Sequence, residues 1–256
     1  MSATGGVGSV GHCDVPELPS SGVPGPAYKL LVVIPALNEE ESVGLVVKEV
    51  AAARSDATVL VVDDGSTDRT REVARAADAH VLSLPYNLGV GGALRAGFRF
   101  AERRGFDVVV QVDGDGQHDP AEIGRLLAEL ATADLVIGAR FAGRGDYEAR
   151  GARRVAMWLL ARSLSKRAGT PLTDSTSGFR AFNRRTVELF ARDYPAEYLG
   201  DTVEALVIAA RAGYRVTQIP VNMRPRTTGT PSQRPVKAAV QLSRTMLALL
   251  MSRLRR

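Results

Sequence analysis

Residues 108–112 read Val-Val-Val-Gln-Val and run straight into Asp113-Gly114-Asp115-Gly116-Gln117-His118-Asp119-Pro120. The β-branched run is apolar on both faces, the pattern of a parallel strand buried between two layers of helices. The carboxylates then fall at the strand's carboxyl end, where open α/β sheets hold their ligands. Gly114 and Gly116 let backbone and carboxylates approach a ligand closely. Asp119-Pro120-Ala121-Glu122 supplies an N-cap, a proline at the first helical position and an acid at the third. Two carboxylates and the Gln117 carbonyl are hard oxygen ligands suited to Mg2+ or Mn2+ held together with substrate phosphates. An EF-hand is excluded, because its sixth position would be His118 and its twelfth Gly124. A simple Asp-Gly turn is the competing reading of the loop taken alone.

The chain before this loop repeats the same logic. Lys29 to Ile34 reads as a first strand, leaving through Pro35-Ala36-Leu37-Asn38-Glu39-Glu40-Glu41 into a helix to about Arg54. The acids suit a helix start; the loop is equally placed to lie over a nucleotide. Thr58 to Val62 reads as a second strand ending in Asp63-Asp64-Gly65-Ser66-Thr67-Asp68. Ser66 and Asp68 are candidate caps. Asp64 is placed to bond a ribose hydroxyl or a base edge. A short third strand, Ala79 to Leu82, precedes Asn87-Leu88-Gly89-Val90-Gly91-Gly92-Ala93 and a helix carrying Arg95. This segment fits neither phosphate-loop fingerprint, since Leu94 takes the third glycine position and no Gly-Lys-Ser/Thr occurs. Its glycines read mainly as packing and turn residues, with anion contact as the alternative. A fifth strand, Asp134 to Ile137, ends at Gly138-Ala139-Arg140, where Arg140 could reach a phosphate or form a surface ion pair. Alternating strands and helices specify a doubly wound parallel sheet.

Residues 141–151 read as a polar loop and 152–168 as a helix bearing Trp158. Thr173 to Phe182 leads from a loop into a strand. Helices are expected at about 184–192 and 202–212, and a last strand at 214–221. Met223-Arg224-Pro225-Arg226-Thr227-Thr228-Gly229 is a basic loop whose arginines could close over a diphosphate. Residues 236–254 read as an amphipathic helix with Val236, Ala239, Val240, Met246, Leu247, Leu250 and Leu254 on one stripe. It suits docking on the parent domain or contact with an anionic membrane. Residues 1–27, rich in Gly, Ser and Pro, read as a disordered tail, which makes 28–235 the folded domain.

Composition narrows the function classes. The 256 residues carry a net charge of +5, compatible with phosphorylated ligands or an anionic surface. Aromatics make up 5%, without the basic-aromatic interleaving of a base-stacking platform, so no nucleic-acid partner is expected. Cys13 is the single cysteine, which excludes an intrachain disulfide, and three histidines beside it make a zinc site improbable. No run of about 18 apolar residues marks a membrane span, and no signal peptide opens the chain. A cytoplasmic protein is expected.

Taken in order, Pro35-Ala36-Leu37-Asn38-Glu39, Asp63-Asp64-Gly65-Ser66-Thr67-Asp68, Asn87-Leu88-Gly89, Asp113-Gly114-Asp115-Gly116-Gln117-His118 and Ser177-Gly178-Phe179-Arg180 closely resemble family 2 of the inverting glycosyltransferases. The branch they resemble is the polyprenyl-phosphate (dolichol-phosphate) sugar transferases, and the likeness spans about 29–232. It implies a GT-A fold, a Rossmann-like, mostly parallel sheet flanked by helices, binding a UDP- or GDP-linked sugar. It implies that Pro35, Leu37, Glu39 and Asp64 line the nucleotide. Asp113, Asp115 and Gln117 would hold the metal, with Gly114 and Asp115 against the donor. Arg140 would lie near the phosphates and Arg226 would close over the donor. Ser177 and Arg180 would border the acceptor, Arg180 facing its phosphate. Relatives often carry Lys where this chain has Val90, a Gly-x-Ser-Lys loop where it has Gly229-Thr230-Pro231-Ser232-Gln233, and transmembrane helices.

The reaction implied is a metal-dependent, inverting transfer of a sugar to a polyprenyl phosphate. Its setting is the inner face of the plasma membrane, with peripheral contact or a membrane-protein partner. A hydroxyl acceptor would instead need a carboxylate base, for which Asp174, Asp201 and Glu204 are candidates. A non-catalytic nucleotide-sugar binding module is a third reading.

Overall fold

The computed structural model describes residues 28–139, 174, 177–195 and 201–225. The expected tail (1–27), the 152–168 helix and the 236–254 helix lie outside these residues, as do Arg140 and Arg226. Strand β1 (Leu30–Ala36) leads to helix α1 (Val43–Ala53), β2 (Ala57–Asp63) to α2 (Thr70–Ala76), and β3 (His80–Ser83) to α3 (Gly89–Arg104). Strand β4 (Val108–Gln111) is followed by a 3-10 turn (Pro120–Glu122) and α4 (Ile123–Glu129). Then come β5 (Leu135–Ala139), β6 (Arg180–Phe182), α5 (Arg184–Asp193), α6 (Asp201–Arg211) and β7 (Val216–Pro220).

The seven strands form one sheet in the order β3-β2-β1-β4-β6-β5-β7. Strands β1 to β5 and β7 run parallel, and β6 is antiparallel to both its neighbours. Strands β4 and β5 are therefore not adjacent. The short β6 slides between them, pairing Ala181 with Val110 on one side and Val136 on the other. Order reverses at β1, so β1 and β4 diverge and leave their carboxyl ends open to a ligand.

Period-two alternation sorts the side chains into two cores. Leu31, Val33, Leu60, Val62 and Val109 face α3, α5 and α6. Leu30, Val32, Ile34, Val59, Val61 and Val110 face α1, α2 and α4. The first core is closed by an aromatic cluster in which Phe98 meets Phe182 edge-on at 5.0 Å and Phe190 at 5.4 Å. Gly97 lets α3 approach β1, since a Cβ there would lie 2.7 Å from Val33 Cγ1. Such packing fixes the strand ends that carry the polar residues.

Candidate active site at the strand ends

The end of β1 and the end of β2 are stitched into one platform. Asn38 adopts a left-handed backbone (φ 55°), which asparagine tolerates better than most residues. In that conformation its N–H donates to Ser66 Oγ at 3.0 Å and its Oδ1 accepts the Thr67 N–H at 2.9 Å. Glu39 N–H donates to Thr70 Oγ1 (2.8 Å) and Glu40 N–H to Asp68 Oδ2 (3.1 Å). Burial works against charge on Asp68, but the Thr70 hydroxyl and the Thr70 and Glu40 amides hold its carboxyl below the ordinary range. Ser66 and Asp68 thus tie two loops together. Glu39, half-buried, accepts the Ser42 hydroxyl at 2.8 Å, so the acids precede α1 and do not fill its first turn. Pro35 and Leu37 are half-buried at the rim.

Asp64 has a different surrounding from the one expected. It is 4% exposed, and its two oxygens accept the N–H groups of Leu88 (2.7 Å) and Gly89 (2.8 Å). The carboxylate of β2 therefore caps α3, satisfying donors the helix cannot satisfy itself. Burial pushes the Asp64 carboxyl up; the two amides oppose this and the neighbouring Asp63 adds to it. The Asn87-Leu88-Gly89 segment is held as a cap partner, in line with the turn-and-packing reading of its glycines.

The acidic loop follows β4 and lies directly on this platform: a Cβ on Gly114 would stand 3.3 Å from the Pro35 carbonyl. Asp115 Oδ1 accepts the Gln117 N–H at 3.1 Å, closing a tight turn. Asp119 caps the following turn through the Ala121 N–H, as its position predicts. Asp113, Asp115 and Gln117 are all half-exposed. Three neighbours that sequence reasoning did not single out surround Asp113. Its N–H donates to His118 Nδ1 at 3.0 Å; Gln111 Nε2 lies 3.3 Å from its Oδ1; and Gly178 abuts its carboxylate. His118 sits five residues away in the same loop, which was the available signal. Gly178 is visible only in the fold.

The Ser177–Arg180 segment lies against this loop through Gly178. Ser177 is buried, donating its hydroxyl to the Gly138 carbonyl at 2.5 Å and accepting the Phe179 N–H at 3.2 Å. Arg180 is fully buried, with Nε donating to the Ser177 carbonyl (2.8 Å) and a terminal nitrogen to the Thr202 carbonyl (3.0 Å). The guanidinium is sealed from solvent and turned onto backbone carbonyls. It joins β6 to the start of α6.

The segment after β7 returns to the acidic loop. His118 and Met223 form an antiparallel bridge, and Arg224 N–H donates to the Gln117 carbonyl at 2.8 Å. Arg224 itself pairs with Glu49 of α1 (2.7 Å) and Asp119 (3.0 Å). It is a strap across the loop. Of the candidate bases, Asp174 is half-buried with its N–H on Gln218 Oε1 (3.1 Å), and Glu204 is exposed on α6. Asp201 begins α6, with its side chain outside the described residues.

Three comparisons bear on this arrangement. A family model described as glycosyl transferase family 2 matches residues 31–190. The undecaprenyl-phosphate mannosyltransferase of Micrococcus luteus is 38% identical over 210 residues, covering 78% of this chain and 86% of that protein. The polyprenol monophosphomannose synthase of Mycolicibacterium smegmatis is 35% identical over 215 residues, covering 80% of each. The crystal structure of glucosyl-3-phosphoglycerate synthase from Mycobacterium tuberculosis, in complex with Mn2+, UDP and glucosyl-3-phosphoglycerate, superposes with a TM-score of 0.64. It is 26% identical, covering 89% of this chain and 80% of that one. The same enzyme has also been crystallised with Mg2+ and UDP.

Proposed function

The chain belongs to glycosyl transferase family 2 and is a glycosyltransferase; on that premise we propose that it transfers a hexosyl group from a nucleoside-diphosphate sugar to a polyprenyl phosphate, with a divalent metal, at the inner membrane face. The carrying observation is the contact of the Asp113–Gln117 loop with Pro35 at the parting of β1 and β4. That contact puts hard oxygen ligands beside the half-buried Pro35, Leu37 and Glu39. The lipid acceptor is supported by the two relatives with 38% and 35% identity, both named for polyprenyl-type phosphates.

The residues fit a divalent cation. Asp113 keeps 37% of its side chain exposed, and Asp115 is half-exposed. The Gln117 backbone carbonyl is taken by Arg224, so its part rests on the side-chain amide. No group of three or more acids, histidines or cysteines placed to hold a metal ion together occurs among the described residues. That sparse, all-oxygen set suits Mg2+ or Mn2+, which keep coordination sites for water and diphosphate oxygens. When bound, the ion neutralises charge on the departing nucleoside diphosphate.

The chain's own work is to hold the donor. Pro35, Leu37, Glu39 and Gly114 form the platform, with Arg140 and Arg226 assigned to the diphosphate side. Asp64 acts through the α3 cap it holds. The acceptor oxygen attacks the anomeric carbon opposite the diphosphate; the bond to the diphosphate oxygen breaks and configuration inverts. A lipid phosphate, with a second pKa of about 6, is already largely ionised and needs no base. Among the described residues no helix is long and apolar enough to cross a membrane, so contact with the bilayer is assigned to the basic segment 236–256 or to a membrane partner.

A second reading has its own support. The M. tuberculosis synthase that superposes on the chain is crystallised with a phosphoglycerate-type ligand, and a hydroxyl acceptor would call on Asp174, Asp201 or Glu204. Radiolabelled transfer into the organic phase separates the two. With a short polyprenyl phosphate, Mg2+ or Mn2+ and a panel of UDP- and GDP-sugars, one donor gives lipid product that Asp115→Ala abolishes. Metal-dependent donor turnover without lipid product would overturn the lipid acceptor and move the assignment to a hydroxyl.

A further inference from the structure

The imidazole of His118 is cupped around Asp113, and this contact has no part in the reading above. His118 is 4% exposed. Its Nδ1 accepts the Asp113 N–H at 3.0 Å, and its Nε2 faces Asp113 Oδ2 at 3.6 Å. A ring nitrogen that accepts an amide proton carries a lone pair, which places the ring proton on Nε2. The ring cannot drift from this pose. Phe179 stacks on it with centroids 4.9 Å apart and planes 14° apart, and the His118 backbone is bridged to Met223. Gly178 also abuts the carboxylate, where a Cβ would lie 2.6 Å and 2.7 Å from the two Asp113 oxygens.

We propose that His118 is a positioning residue for Asp113: its Nδ1 lone pair fixes the aspartate's backbone, Phe179 locks the ring, and together they aim the carboxylate for the divalent cation. The loop needs such a clamp. Asp113 follows the last paired residue of β4 by two positions, so ladder hydrogen bonds no longer hold it. The flanking Gly114 and Gly116 loosen the backbone further, Gly116 in the left-handed region (φ 73°). Partners outside the coordination shell that orient a ligand are worth about 10–100-fold in metal affinity.

This inference rests on the metal reading, and the test separates the two. Mn2+ binding is measured by electron paramagnetic resonance on the full chain, with and without UDP, alongside thermal unfolding. His118→Phe keeps the ring and its stacking but deletes the acceptor. It should unfold near the wild-type temperature and bind Mn2+ about 10–100-fold more weakly. His118→Asn, whose Oδ1 stands in for Nδ1, should recover most of that loss. Wild-type Mn2+ affinity in His118→Phe overturns the positioning role while leaving the metal site intact. Equal Mn2+ binding by wild type and Asp115→Ala overturns the metal reading and this inference with it. Nitrogen-15 spectra of the wild-type histidine rings decide the matter even if His118→Phe does not fold. An unprotonated Nδ1 with a protonated Nε2 is expected at His118, and a protonated Nδ1 would overturn the proposal.

Discussion

The carboxylate of Asp64, one residue past β2, accepts the N–H of Gly89, the first residue of α3, at 2.8 Å. Its other oxygen takes the Leu88 N–H at 2.7 Å. One side chain thereby fixes the start of the helix that follows the next strand.

Asp64→Asn tests that cap. An amide can accept only one of the two N–H groups, so the substitution should cost about 1–2 kcal/mol. The cost should also depend on pH. Because the folded carboxyl titrates above the ordinary value, the folded state holds its proton to higher pH than the unfolded chain. The stability it contributes is therefore fully present below the ordinary value of about 3.9 and falls as pH rises through the folded value. The gap between wild type and Asp64→Asn should narrow over that rise. Urea unfolding of both proteins at a series of pH values reads the difference directly; a widening gap would sink the idea.

Gly178→Ala should damage the proposed metal site with little effect on the fold. A Cβ at 2.6 Å from Asp113 Oδ1 forces the carboxylate aside, because contacts under 3.0 Å are not sustained. Mn2+ affinity should drop about tenfold, with the unfolding temperature shifting by only a few degrees. Titration calorimetry checks the first and scanning calorimetry the second.

Arg180→Met is expected to act on stability. The guanidinium donates to two carbonyls in a fully buried setting, and leaving them without a donor costs about 2–4 kcal/mol. Were Arg180 instead an acceptor-phosphate ligand, the variant would unfold normally and show only a raised KM for acceptor. Chemical denaturation beside acceptor kinetics distinguishes the two.

Asn38 offers a paired test. Asn38→Gly keeps the left-handed backbone and loses the Thr67 bonds, whereas Asn38→Ala loses both. A left-handed backbone costs an ordinary residue about 1–2 kcal/mol, so alanine should be the more destabilising by about that amount. The reverse order in urea unfolding would show that the φ of 55° does not matter.

Local chemistry made several elements legible. Strands announce themselves where β-branched runs stop at Asp63 or Asp113, because a buried strand must end before a carboxylate can be hydrated. Observed strand boundaries lie within a residue or two of those expected for β1 to β5. Asp119 and Pro120 fixed the start of the turn before α4 for the same local reason. Arg180 and Arg224 show where this ends. From sequence both were arginines near phosphate motifs; in the structure one is sealed against Ser177 and Thr202, and the other is tied to Glu49, 175 residues away.

The sequence by itself therefore determined the α/β alternation, the two-faced core and the acidic loop at a strand's carboxyl end, since each depends on periodicity and on neighbours within a few residues. Tertiary structure alone decided that β6 enters antiparallel between β4 and β5, that Asp64 caps α3, and that Gly178 and Phe179 flank Asp113 and His118. Each of these joins groups far apart along the chain, and a long-range pairing leaves no periodic trace in either partner's own surroundings. A buried polar group takes whichever donor or acceptor the packed core brings within reach, because leaving it without one would cost about 1–3 kcal/mol.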